Sequence, residues 1–192
     1  MIGERIVEDK YLILEDCVRK TYGNVVWCHK IQEKQADIYS NRYKGLETAK
    51  IVVASFTSCG IISVIFTDDL WLKIVSAVLS LVTIFITAYF KSFDLNNLTK
   101  AHKQSALEFL EVRNELELLL LSIHLREDSI NNIKEKYALL VQKLNTVNSK
   151  APNCTDKAVE KAEEALKVKK DNTYSDDEID LFLPDKLRRN NP

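Results

Sequence analysis

Residues 51–67 and 74–90 form two runs of 17 residues without a charge, and no other feature constrains this 192-residue chain as tightly. As a helix each run is about 25 Å long, near the lower limit for crossing a hydrocarbon core of about 30 Å. Ala49 and Lys50 extend the first run, and Leu70, Trp71, Leu72 and Lys73 extend the second, with both lysines able to reach lipid headgroups. The runs are apolar on every face, unlike the one-sided wall of a soluble bundle, and the charged remainder of the chain has too little apolar material to bury them. They are expected to be transmembrane helices over 49–67 and 70–90. The stretch FTDDLWLK (66–73) is then the tip of a hairpin, too short for anything but antiparallel neighbours. Lys34, Arg42, Lys44 and Lys50 precede the hairpin and Lys91, Lys100 and Lys103 follow it, against Lys73 alone at the tip. By the positive-inside rule Asp68 and Asp69 face the exterior, and both termini are cytoplasmic.

The rest of the chain reads as helix. After Gly3 only Gly23, Gly45 and Gly60, and no proline, precede Pro152. The expected class is an all-α membrane protein: a two-helix transmembrane hairpin with a cytoplasmic helical bundle. The bundle is built from N-terminal helices (1–48) and a long heptad helix (91–150), with the hairpin at 49–90 between them. Residues 151–192 read as a marginal helix, with Thr155 as N-cap, and an acidic, apolar tail. Val7, Tyr11, Leu14 and Val18 share one face of a first helix over about residues 4–20. Thr21-Tyr22-Gly23-Asn24 is the expected break before a second helix that runs into the membrane.

After Phe90 the apolar positions alternate three and four apart, from Leu95 and Leu98 through to Leu144 and Val147. Only His102, Ser105 and Arg126 interrupt this heptad seam, whose centre is Phe109, Val112, Leu116, Leu119 and Ile123. A helix this long cannot bury its seam alone. The seam packs on the N-terminal helices, on itself through a bend at His124–Ser129, or on other subunits; an oligomer seam through those five residues is the expectation carried forward. The run Leu118 to Leu121 widens the stripe toward a multi-helix bundle.

Chemistry is sparse. There is no Gly-rich phosphate loop, H-E-x-x-H or nucleophile elbow, so no enzyme, catalytic residue, metal or cofactor is expected. A formal net charge of −1 argues against nucleic-acid binding through the phosphate backbone. Cys17, Cys28, Cys59 and Cys154 form no C-x-x-C pair and lie inside by the topology above, so disulfides are not expected. The opening MIGERIVEDKYL lacks an apolar run and does not read as a signal peptide. In the membrane runs Ser55, Cys59 and Ser63 recur every four residues, a stripe that fits helix packing. Ser76, Ser80, Thr83 and Thr87 share one face of the second run, which fits either packing or the lining of a water-filled path.

The run VVWCHKIQEKQADIYSNRYKGLETAKIV carries the pattern W-x-H-K-x-x-E-K-x-A-D-x-Y from Trp27 to Tyr39, followed by Arg42-Tyr43-Lys44, a hydroxyl-bearing hairpin and a long helix. Over roughly residues 20–150 this resembles the SLATT family. Those are bacterial two-transmembrane effectors found beside SMODS-type nucleotide-second-messenger synthases and SLOG sensors. The resemblance implies a pore-forming or membrane-disrupting effector of antiviral defence in the bacterial inner membrane. It implies a lipid bilayer, further copies of the chain (a homo-oligomer) and a synthase or sensor as partners. The alternative is a membrane-anchored helical scaffold that recruits a partner without permeabilising the membrane.

Overall fold

Residues 2–66, 69–171 and 173–189 are described by a computed structural model; Asp68 and the side chain of Ser63 lie outside the described part. The described residues are helical throughout their regular parts, with no strand. α1 (Ile2–Phe66) is one helix of 65 residues, about 100 Å at 1.5 Å per residue. The expected break at Thr21–Asn24 is absent. Gly23 keeps a helical, negative φ, and Thr21 Oγ1 bonds back to the Cys17 carbonyl at 3.1 Å. A single helical glycine costs only about 1 kcal/mol, less than the packing of Val18 and Val25 on either side of it contributes.

Asp69 caps α2 (Leu70–Ser92), its Oδ1 accepting from the Trp71 amide at 2.8 Å. α2 runs antiparallel along the end of α1: Phe90 meets Tyr43 edge-on at 5.5 Å, and Ser76 meets Gly60. The segment beginning at Leu70 is, among the described residues, long and apolar enough to cross a membrane, with mean hydropathy 2.1. Its outer face, with Leu81, Ile84 and Phe85, is uncovered.

The single long helix expected over 91–150 is two helices. α3 (Leu95–Leu125) ends at Arg126, which takes the left-handed conformation (φ 55°), and α4 (Ile130–Lys150) folds back from a Ser129 cap. The bend lies in the polar stretch His124–Ser129. It is clasped to the start of α1: Arg126 pairs with Glu8 at 3.0 Å and sits over the Tyr11 ring, whose hydroxyl donates to the Asp128 carbonyl. A short α5 (Asp156–Glu163), a π-helical turn (Glu164–Val168), α6 (Asp176–Phe182) and a 3-10 turn (Asp185–Leu187) follow.

Phe109, Val112, Leu116, Leu119 and Ile123, expected as a seam between chains, are covered within this one. They are buried against Leu14, Val18 and Val25 of α1 and Ile133, Leu140 and Val147 of α4. The bend lets the heptad pattern satisfy itself within one subunit. Leu116→Ala is expected to cost about 2–5 kcal/mol of stability, because Leu116 is fully enclosed. Leu118→Ala, two residues on and exposed on the opposite face of the helix, should change the stability of the single chain by under about 0.5 kcal/mol. Denaturant unfolding followed by circular dichroism separates the two; equal losses would contradict this core.

Candidate functional site

The Trp27–Tyr39 run is where four separate segments meet. Lys30 is only 3% exposed, and its ammonium lies 2.8 Å from Glu33 Oε2 and 3.6 Å from Asp171 Oδ2. Lys34 reaches the same Asp171 oxygen at 3.9 Å. The two lysines one turn apart, a repulsive pair on an isolated helix, are thus held by a carboxylate from the C-terminal segment. Gln32 Nε2 donates to the Pro152 carbonyl at 3.0 Å, which leaves its Oε1 for His102 Nδ1 of α3, 2.6 Å away. Gln35 Oε1 accepts from both the backbone amide and the hydroxyl of Thr155, each at 2.8 Å. Thr155 does stand at the N-cap of α5, but its side chain is turned to Gln35 instead of capping the helix. Tyr39 leans over the His102 ring at 5.4 Å, and α5 buries Ala158 and Ala162 on α1.

This geometry fixes protonation states. Since Gln32 presents its carbonyl oxygen, His102 Nδ1 carries the proton and donates. Burial holds the imidazole below its ordinary value of 6.5, so it is neutral in the folded chain. His29 is lowered too, by burial first, with Glu33 opposing. Cys154 lies 3.9 Å from His102, but burial, and then Cys28, pushes its thiol up to about 11, so it is no thiolate at neutral pH. The cluster acts as a clasp that joins α1, α3, the 151–155 linker and Asp171. His102 and Ser105 stood out in the sequence as polar breaks in an apolar seam, and that was the available sign of it. The roles of Gln32, Gln35 and Asp171 had no such sign, since each depends on residues far away in the chain.

In the hairpin Ser76 is buried, Ser80 and Thr83 are half-buried and Thr87 is exposed. The stripe faces α1, and its hydroxyls bond back along their own helix: Ser80 to the Ser76 carbonyl (2.9 Å), Thr83 to Leu79 (3.0 Å), Thr87 to Thr83 (2.8 Å). On α1 other residues face α2. Ser55 and Cys59 are exposed, with the Ser55 hydroxyl returned to the Ile51 carbonyl, while Ala49, Val53, Thr57 and Gly60 are half-buried. Gly60 decides the approach: a Cβ there would lie 2.5 Å from Ser76 Oγ.

Gly60→Ala is expected to be tolerated, because the Ser76 hydroxyl can rotate away and helix propensity improves by about 0.5–1 kcal/mol. Gly60→Leu should force the helices apart and lower the melting temperature in detergent; an unchanged melt would contradict the close contact. Acid should weaken the clasp. His102 resists protonation when folded and titrates normally when unfolded, so stability is fully present above about pH 6.5 and falls as pH drops below it. His102→Asn keeps a donor near Gln32 and should flatten that acid slope; an undiminished slope would assign it to other groups, His29 first.

Residues 14–178 match the SMODS and SLOG-associating 2TM effector domain family 4 (SLATT family 4), more than four-fifths of the sequence. The chain belongs to this family. The match runs past the linker to Glu178, so α5 and Asp171, which close the clasp, are part of the family domain. No curated protein and no solved structure matches the chain.

Proposed function

We propose that this member of a two-transmembrane effector family permeabilises the bacterial inner membrane in anti-phage defence, when a nucleotide-signalling or sensor partner is triggered. Membership of the family carries the reading. In it α1 from about Ala49 and the whole of α2 form a two-span hairpin with both termini cytoplasmic. The clasp sits on the same unbroken helix as the first span, so a partner that loosens the tail from Lys30 and Lys34 acts on a rod that enters the bilayer. In the closed hairpin Ser76, Ser80 and Thr83 lie against α1. A water path lined by them requires the hairpins to re-pair on assembly.

The apolar end of α6 favours a second reading. Leu181 and Phe182 are 76% and 82% exposed beyond a capping box at Ser175 and Glu178, a surface suited to holding a partner on a membrane-anchored scaffold.

Expression in bacteria with a membrane-potential dye separates the two. The effector reading predicts depolarisation and growth arrest; an intact potential in cells that contain the inserted protein and its trigger would favour the scaffold. In the same cells an impermeant thiol reagent should label an Asp68→Cys variant from outside and leave Cys154 untouched. Labelling of Cys154 would invert the topology. Replacing Ser80 by Leu and Thr83 by Val should abolish depolarisation if the stripe lines the path, by dewetting it. Unaltered depolarisation by a well-folded variant would remove the stripe from the mechanism.

A further inference from the structure

With the seam of α3 closed inside the chain, the opposite face of that helix is left open. Leu107, Leu110, Asn114, Leu118, Leu121 and Leu125 follow each other at intervals of 3, 4, 4, 3 and 4. That is an 11-residue repeat, which keeps a row nearly straight along a helix where a heptad would drift. Four of the leucines (107, 118, 121 and 125) are between 52% and 64% exposed. A shallow groove of about 390 Å³ runs along Asn114, Glu117, Leu118 and Leu121, and one of about 560 Å³ lies between Leu107 and Leu110 of α3 and His29, Glu33 and Asp37 of α1.

We infer that this row is a homotypic interface, on which α3 packs parallel to α3 of a second copy with Asn114 opposite Asn114. The inference rests on the membrane reading above, since anchoring in one bilayer gives every copy the same direction and brings identical positions level. A single Asn in a leucine row is the residue type that fixes register in parallel helix pairs, because a shifted register strands its amide among leucines. The charges agree. Arg113 and Glu117 flank the row on one side, Glu117 being engaged with Tyr22 of α1, and Glu111 and Glu115 flank it on the other; a parallel two-fold places opposite flanks together, Arg113 against the Glu111–Glu115 pair. Within one chain Lys143 is shared by Glu111 (2.9 Å) and Glu115 (2.7 Å), which leaves one carboxylate charge unbalanced. Arg113 has only a 3.3 Å bond to Asn114 Oδ1, no ion pair among the described residues, and a buried Nε without a hydrogen-bond partner. Toward the bilayer the row ends at Lys100 and Lys103, whose like charges confine the contact to Leu107 and beyond.

The test uses the full chain in native membranes, with Cys17 and Cys59 replaced by Ser. Asn114→Cys should form a 114–114 disulfide dimer on mild oxidation, and Gln142→Cys, exposed on α4, should not. Leu118→Glu combined with Leu121→Glu should reduce the detergent-solubilised mass to that of a monomer with helical circular dichroism unchanged. The interface is overturned by absence of the 114–114 cross-link, by an oligomer that survives the double change, or by a monomeric wild type. A monomeric wild type that still depolarises cells would overturn the interface and leave the effector reading standing. A cross-linked dimer that never depolarises would do the reverse.

Discussion

The constraint on which the rest of the structure depends is the continuity of α1. One rod of 65 residues carries the packing face for α3 in its first third, the W-x-H-K-x-x-E-K-x-A-D-x-Y clasp in its middle and the partner of α2 at its end. Because the rod is unbroken, α3 and α4 are placed relative to the hairpin without depending on the short connections alone. The two-residue connection between α2 and α3 shows this. Asp94 caps α3 immediately after Phe93, and Leu95 is already buried, so α3 drops from the hairpin directly onto α1.

Along that rod two kinds of contact divide the labour. The apolar half, around Phe109 and Leu116, holds α3 and α4 by burial, which is non-directional and insensitive to charge. The clasp holds the linker and tail by oriented bonds: a neutral His102 on Gln32, a double acceptor at Gln35, and an ion pair at Asp171. Oriented contacts to chain segments of low burial are the ones that a small change in charge or a competing partner can open. A regulatory event is therefore better placed at the clasp than in the core.

Much of this was legible in the sequence, and where it was not the cause is physical. Periodicity along 95–147 identified the buried face residue by residue, yet periodicity says that a face is covered and not what covers it. The covering came from α1 and α4 through a left-handed Arg126, a conformation its residue type does not advertise. At Thr21–Asn24 the local turn signals pointed to a break, and burial of Val18 and Val25 overrode them. In the first uncharged run Ser55 and Cys59 are small and evenly spaced, the sign of a packing face. The packing face turned on Gly60, the one residue there without a Cβ, spaced with Ala49, Val53 and Thr57. The clasp was half visible, as polar residues where the seam wanted apolar ones.

Rigidity of α1 across Gly23 and Gly45 is the most direct thing to measure. Spin labels at Lys20 and Thr48, both exposed, span Gly23 and Gly45 in the reconstituted full chain with its native cysteines replaced. An unbroken helix places their backbones about 42 Å apart at 1.5 Å per residue, with a single narrow distance distribution. A broad or markedly shorter distribution would mean a hinge at one of the glycines, and would contradict a clasp and an α2-packing segment joined on one rod.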